Sequence, residues 1–319
     1  MTASTDSAPA HHGQTQRVPD FFIVGHHKSG TTALYEMLRA HPQIFMPAVK
    51  EPRFLASDLR ALVPSTPRQP ATMEEYLALF APAGARQRVG EASPSYLRSR
   101  TAPAAIAALA PAARIIAIFR EPASFVRSLH LQLLQEHVES ERDLARAIAN
   151  EQIERAGTRM LRYSDHVRYA EQLRRYHQTF PREQVLALIY EDFRADNAGT
   201  LRRVLRFLEV DENVPITPRE ANPSVEVRAR GLDTLVRGVQ KGRGPLASAT
   251  RAGASLLIPR TARARALALL RRRVLYEPPA AVEEQVMESL RSRYREEVLA
   301  FSDYIGRDLV SFWGYDRLA

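Results

Sequence analysis

The 319-residue chain has no cysteine and a single tryptophan. The missing cysteine excludes disulfides, thiolate-bound metals and a thiol nucleophile. It suits a reducing compartment, and we expect a cytoplasmic protein. Met1–Gln16 is polar and lacks the apolar core of a secretory leader. No apolar run approaches the roughly 20 residues needed to cross a bilayer. The nine histidines form neither H-x-x-x-H nor H-E-x-x-H, so no metal site is expected. The G-x-S-x-G elbow of a hydrolase is also missing.

Acidic residues are nearly absent from one stretch. Arg228–Arg273 holds eleven arginines, one lysine and one acid, Asp233, so this segment accounts for the whole formal charge of +9. Two readings fit. One is a solvated, arginine-rich set of helices; the other is a surface for an anionic partner such as an acidic lipid membrane. The aromatic side chains that interleave with cations on nucleic-acid surfaces are missing there, so no nucleic-acid partner is expected.

The rest of the chain alternates strands with helices. Phe21–Val24, Arg114–Phe119 and Gln184–Tyr190 are short, continuous apolar runs, the pattern of strands buried on both faces. Ile44–Met46 and Arg88–Ala92 read as two further strands. Helical spacing follows the first run from Ala33. It recurs over Met73–Phe80, Ala104–Leu109, Ala123–Leu134, Leu144–Arg155, Asp165–Tyr176 and Gly199–Leu208. Beyond Asn213 the strand signals fade, and helices are expected over Ala229–Gln240, Ala262–Leu275 and Ala281–Phe301. This predicts an α/β fold: a central, mainly parallel sheet, helices on both faces and a helical C-terminal part. We expect a disordered tail over residues 1–18, one domain over 19–319, and a basic helical insertion over 228–275.

Ligands of such sheets bind at the carboxyl ends of strands, and the candidate motifs fall there. Gly25-His26-His27-Lys28-Ser29-Gly30-Thr31-Thr32 joins the first strand to its helix. Backbone N–H groups in such a loop cradle phosphate oxygens, helped by the helix N-terminus. Lys28 adds a charge, and Ser29, Thr31 and Thr32 add hydroxyls. A Walker A loop has lysine directly after its second glycine; here Thr31 stands there and Lys28 precedes Gly30. No aspartate ends the later apolar strand, since Phe119 leads into Arg120. Both departures disfavour a Mg-nucleotide kinase or NTPase. Arg120-Glu121-Pro122, with Ser128 eight residues after Arg120, supplies a second set of phosphate donors. Lys50-Glu51-Pro52-Arg53-Phe54-Leu55 sets a carboxylate among cations, where it stays ionised and able to accept a proton.

These segments resemble the PAPS-dependent sulfotransferases (PAPS, 3′-phosphoadenosine-5′-phosphosulfate), in particular the heparan-type and related bacterial branch. The resemblance runs from about Phe21 to Trp313 and is thin between Val225 and Leu275. It implies a P-loop-like fold and a PAPS co-substrate, left as adenosine 3′,5′-bisphosphate, with no metal. His27, Lys28, Ser29, Gly30, Thr31 and Thr32 are then expected to hold the 5′-phosphosulfate, and Arg120 and Ser128 the 3′-phosphate. Glu51 is expected to be the general base and Lys28 the catalytic cation, with His27 and His130 as alternative bases. Lys50, Arg53 and Glu91 are expected on the acceptor side. Glu91 comes from Gly90-Glu91-Ala92-Ser93-Pro94-Ser95-Tyr96, which resembles a further family segment. Three departures stand out: Glu121 in place of the more usual aspartate, Arg53 in place of histidine, and Leu55 in place of phenylalanine. The implied acceptor is a hydroxyl, less readily an amine, of a carbohydrate, a lipid-linked molecule or a specialised metabolite. A nucleotide kinase or NTPase, or a basic module that binds anions without catalysis, remains as the alternative.

Overall fold

The computed structural model describes residues 17–60, 69–136, 138–151, 162–217, 226–227, 276–277 and 284–318. Five strands form one parallel sheet: β1 (Phe21–Gly25), β2 (Ile44–Phe45), β3 (Arg88–Ala92), β4 (Arg114–Phe119) and β5 (Val185–Ile189). Their order is β2-β3-β1-β4-β5. The helices are α1 (Thr31–Arg39), α2 (Ser57–Arg60), α3 (Met73–Ala78), α4 (Ala102–Leu109), α5 (Pro122–Gln135), α6 (Leu144–Ala149), α7 (Tyr163–His166), α8 (Tyr169–Thr179), α9 (Tyr190–Ala195), α10 (Asn197–Phe207), α11 (Glu284–Ile305) and α12 (Leu309–Phe312).

Every residue of β1 is buried. A central strand covered on both faces has no polar side, hence the continuous apolar run. Successive side chains enter opposite cores. Phe22, Val24, Ile115, Ala117 and Phe119 join one core with Tyr76 of α3, Ile106 of α4, Phe125 of α5, Leu173 of α8 and Phe301 of α11. Phe21, Ile23, Ile116 and Ile118 join the other with Leu34 of α1, Phe193 of α9 and Leu201 of α10.

The strand order positions the site. From β1 the chain runs outward to β2, whereas from β3 it crosses over β1 to reach β4. The connections leaving β1 and β4 therefore diverge, and a crevice opens at the carboxyl ends of these two neighbours. β1 and β4 pair in register from Phe21 opposite Arg114 to Gly25 opposite Ile118, so both candidate phosphate segments start at one sheet edge.

The structure departs from the sequence-based expectation in several places. The helix expected over Asp165–Tyr176 is two helices, because Arg168 leaves helical geometry (φ −81°, ψ 62°) while Val167 and Tyr169 stay buried on either side of it. The helix expected over Leu144–Arg155 ends at Ala149. Glu226–Val227 (β6) pairs antiparallel with Tyr276–Glu277 (β7), a ribbon that helical periodicity did not suggest. Arg17 and Val18, assigned to the tail, belong to the fold: the Arg17 guanidinium donates to Gln87 O at 2.7 Å, and Val18 packs on the core. Residues 1–16, the insertion 228–275 and the helices expected over Ala229–Gln240 and Ala262–Leu275 lie outside the described residues, as does any membrane contact made by Arg228–Arg273.

Helix α11 is held to the sheet by Phe301, whose ring lies 4.5 Å from Phe119 and 5.5 Å from Tyr169. Truncating a fully buried aromatic costs about 3–5 kcal/mol. Phe301→Ala is expected to lower unfolding free energy by about that amount in urea titrations; a loss under about 1 kcal/mol would show that α11 does not depend on this contact.

Candidate active site

The loop after β1 needs its two glycines for space as well as backbone freedom. Gly25 has φ 150°, and a Cβ there would lie 2.7 Å from Ile118 O. Gly30 has φ 83°, and a Cβ there would lie 2.9 Å from the Phe193 ring. Only glycine lets β1 run this close to β4 and lets the loop rest on α9. Lys28 also takes a left-handed backbone (φ 64°) without that freedom, a strain of ~1–3 kcal/mol that typically accumulates at functional sites. Gly30 caps α1 without a side-chain hydrogen bond, and the first turn holds no acid. Its N–H groups are thus left for an anion. Ser29 is fully buried and its Oγ has no hydrogen-bond partner. A buried hydroxyl without a partner is costly unless a ligand satisfies it, so the loop fits a phosphosulfate.

Arg120 leaves the end of β4 and meets this loop. Its Nη1 donates to Lys28 O at 2.7 Å, and its guanidinium lies 4.8 Å from the centre of the Tyr190 ring. Its Nε is buried without a partner. Burial and the Arg120 charge both lower the Lys28 pKa. Two cations placed this close await an anion. Ser128 is buried on α5, seven residues into the helix that begins at Pro122. Glu121, the departure from aspartate, is the N-cap of that helix: its carboxylate accepts from Ala123 N at 2.9 Å and Ser124 N at 2.6 Å.

Across the crevice lies the Lys50–Leu55 segment. Glu51 Oε1 accepts from Lys50 Nζ at 2.7 Å, and Oε2 accepts from Arg53 Nη2 at 2.5 Å. His27 Nδ1 is 4.0 Å from the same carboxylate. Burial alone would raise the Glu51 pKa, but His27, Lys50 and Arg53 reverse this and hold it well below the carboxylate range. Burial lowers the His27 imidazole to about 4; Glu51 pulls the other way, and Arg53, Arg98 and Lys50 add to the lowering. His27 is thus neutral at pH 7, which leaves Lys50 and Arg53 as the cations that clamp Glu51.

The clamp is built on the end of β3. Glu51 and Arg53 both have left-handed backbones (φ 58° and 54°). Glu51 N donates to Ala92 O at 3.0 Å, Arg53 N to Ser93 Oγ at 3.1 Å, and Leu55 N to Tyr96 Oη at 3.1 Å. Tyr96 in turn donates to Glu91 Oε2 at 3.0 Å, as Tyr76 does at 2.7 Å. Phe54 stacks on Tyr76, with ring centres 4.9 Å apart.

Glu91, expected on the acceptor side, is 0% exposed: both tyrosines donate to its Oε2, while its Oε1 has no hydrogen-bond partner. Burial pushes its pKa up to about 7, against the hydrogen bonds from Ser93, Tyr76 and Tyr96 that lower it. His130 loses its place as a candidate base. Its Nδ1 is paired with Tyr163 Oη at 2.9 Å and its Nε2 with Arg142 O at 3.2 Å, so no ring nitrogen is left for a substrate proton. His27, Lys28, Ser29, Gly30, Thr31 and Thr32 lie together on the loop and first turn after β1, Arg120 donates to that loop, and Lys50, Glu51 and Arg53 form the clamp beside His27; Ser128 is buried on α5.

Sequence reasoning missed Tyr190 and Arg98. Tyr190 follows a strand end in Tyr190-Glu191-Asp192-Phe193, a segment whose family resemblance suggested no chemistry, yet its ring lies against Gly30 and beneath Arg120. Arg98 is largely buried near Arg53, and its pKa falls to about 10, mainly through desolvation. Its only signal was its place two residues after Tyr96. Among the described residues no group of three or more His, Asp or Glu side chains could hold a metal ion.

The uncapped start of α1 at the end of β1 and the Arg120 guanidinium at the end of β4 thus meet at one edge of a parallel α/β sheet. The model of the sulfotransferase family matches residues 19–213, more than half of the chain, and the chain belongs to that family. Heparan sulfate glucosamine 3-O-sulfotransferase 3A1 of Mus musculus is 28% identical over 194 residues, covering 61% of this chain and 46% of that protein. The match thus spans about half the length of that relative. Carbohydrate sulfotransferase 15 of Homo sapiens is 37% identical over 71 residues, covering 22% of this chain and 13% of that one. In fold, the chain is similar to a sulfotransferase from Alicyclobacillus acidocaldarius whose crystal structure aligns with a TM-score of 0.65 and 22% identity, covering 93% of this chain and 99% of that one.

The cradle has a consequence for stability. The His26 ring lies 4.7 Å from both Phe125 and Tyr169, and its Nε2 has no partner. Burial, with His27 and Arg98, lowers its pKa to about 3. The unfolded chain binds this proton near pH 6.5 and the folded one does not. Stability from neutral His26 is therefore full above pH 6.5 and lost as pH falls towards 3. The slope is about 1.4 kcal/mol per pH unit for one such group. His26→Phe, which keeps the ring stack, should flatten the fall in urea midpoint between pH 7 and pH 5. An unchanged slope would assign that fall to other groups.

Proposed function

We propose that this chain transfers a sulfuryl group from PAPS to a hydroxyl of a negatively charged carbohydrate. One observation carries the reading: the uncapped start of α1, Lys28 and Arg120 meet at the ends of two adjacent strands, where the Arg120 guanidinium donates to Lys28 O at 2.7 Å. That is a site for a nucleotide whose phosphates are neutralised by protein cations and amides.

Each group at the site then has its part. The loop amides with Ser29, Thr31 and Thr32 hold the 5′-phosphosulfate, and Arg120 with Ser128 holds the 3′-phosphate. When bound, PAPS supplies a sulfuryl group whose bond to the 5′-phosphate oxygen breaks as the acceptor oxygen bonds to sulfur. Lys28 neutralises charge growing on that phosphate oxygen, and its lowered pKa favours passing a proton there as well. Glu51 takes the proton that the acceptor hydroxyl loses. Clamped by Lys50 and Arg53, Glu51 is ionised but a weak base. An acceptor bearing its own negative charge draws these cations towards itself and frees the carboxylate. Lys50 and Arg53 around Glu51, with Arg98 near Arg53, suit such an acceptor. The 3-O-sulfotransferase relatives, by name, act on glucosamine in heparan sulfate, which makes a charged sugar the first acceptor to try.

Nucleotide choice is tested by calorimetry with adenosine 3′,5′-bisphosphate and with Mg-ATP. The expected result is binding of the bisphosphate without added metal and at least about tenfold preference over Mg-ATP. Preference for Mg-ATP would sink the sulfotransferase reading in favour of a kinase or NTPase.

The role of Glu51 is tested with labelled PAPS and heparan sulfate, or a cell extract in which mass spectrometry finds products heavier by one sulfuryl group. Glu51→Gln should lower turnover by about 100-fold or more and leave bisphosphate affinity within about twofold. Near-normal turnover would remove Glu51 as the base.

A further inference from the structure

The C-terminal segment reaches back to the nucleotide side of the site. Helix α11 ends at Ile305, and a tight turn follows in which Ser302 Oγ donates to Arg307 O at 2.5 Å and accepts from Leu309 N at 2.9 Å. Arg307 forms a two-pronged ion pair with Asp192 of α9. Asp308 caps α12, accepting from Ser311 N at 3.0 Å. Gly314, with φ 76°, then turns the chain inward. Two side chains enter behind Arg120. Trp313 Nε1 donates to Glu191 Oε2 at 3.1 Å, and Tyr315, 0% exposed, donates to Glu121 Oε1 at 2.5 Å.

Together these contacts fix the Arg120–Glu121 peptide from several directions. The Arg120 carbonyl accepts from Tyr169 Oη at 2.9 Å. The Glu121 N–H donates to Glu191 Oε1 at 3.2 Å, and Trp313 holds the other oxygen of that carboxylate. The Glu121 side chain spans the two cap amides of α5 and Tyr315. Burial and the neighbouring Glu121 charge keep Tyr315 protonated, so it stays a donor. A hydrogen bond to a buried carboxylate is among the stronger kinds. This one ties residue 315 to the turn that aims Arg120 and opens the helix carrying Ser128.

We propose that Tyr315, acting through Glu121, is a positioning residue that sets the preference of the nucleotide site for a 3′-phosphorylated adenosine nucleotide over one with a free 3′-hydroxyl. The inference rests on the assignment of Arg120 and Ser128 to the 3′-phosphate. Nothing in the C-terminal segment need touch the ligand. Its part is to hold the Arg120 backbone, because a guanidinium grips phosphate well only when both N–H donors are aimed.

The test is calorimetry of the full chain with two probes, adenosine 3′,5′-bisphosphate and adenosine 5′-monophosphate, on wild type, Tyr315→Phe and Trp313→Phe. Tyr315→Phe should weaken the bisphosphate by about tenfold and the monophosphate by less than about twofold, so the affinity ratio collapses. Trp313→Phe, which deletes the companion bond to Glu191, should move the ratio in the same direction. The affinity ratio is compared with that of wild type in whichever variant keeps a urea midpoint near the wild-type value. A merely structural role weakens both nucleotides alike; an unchanged ratio, with or without overall weakening, overturns the proposal. Wild-type protein that does not prefer the bisphosphate overturns the 3′-phosphate assignment and this inference with it, whereas a wild-type preference that survives in the variants overturns this inference alone.

Discussion

Two cations held side by side are the constraint on which the rest of this structure turns. Arg120 donates to the backbone of Lys28, and the charge of each is felt by the other. Like charges repel, and the Glu136 charge offsets part of that repulsion at Lys28. Tyr190 supplies a ring beneath the guanidinium. The Glu121 cap, Glu191 and the C-terminal Tyr315 fix the backbone behind it. The loop carrying Lys28 is fixed by Gly25 against β4 and by Gly30 against α9. Bracing of this kind holds a site ready for an anion before the anion arrives, which is the general source of electrostatic catalysis in group transfer.

The opposite wall follows a related logic with the sign inverted. There one carboxylate, Glu51, sits among cations, and two left-handed residues keep it in place. The strain is held by backbone hydrogen bonds to Ala92 and Ser93 and by Tyr96, which rests on the buried Glu91. Leu55 at its usually aromatic position contributes through its N–H rather than a ring, and Phe54 keeps the stacking contact with Tyr76. Arg53, the departure from histidine, is half of the clamp on Glu51. The charge state of Glu51 is therefore tied to the two side chains that clamp it, Lys50 and Arg53.

Much of the fold was legible before any coordinates. Strands β1 and β4 are buried on both faces, and such burial writes itself as an unbroken apolar run; β5, at the sheet edge, is half-buried over Val185–Ala187 yet is as apolar. The Gly25–Thr32 loop was legible because a lysine, two glycines and paired threonines between strand and helix admit few chemical purposes. Other features were hidden for physical reasons. The break between α7 and α8 is a tertiary preference for burying both Val167 and Tyr169, and a 3.6-residue period does not register it. Ribbon β6–β7 joins residues about 50 positions apart through two-residue strands, too short to show any period.

What the sequence determined by itself is local: where strands end, where hydrogen-bond donors and cations cluster, and that Lys28 precedes Gly30 instead of following it. These are properties of a few adjacent residues and survive any packing. Tertiary structure alone decided which carboxylate meets the crevice. Glu51 and Glu91 look alike as letters, but the loop crossing β3 leaves the first among cations at the cleft and seals the second under two tyrosines. It also decided that Tyr315, 194 positions beyond Glu121, should complete the cap behind Arg120. A hydrogen bond between distant residues leaves no trace in spacing, because only the closing of the sheet and its helices brings the two ends together.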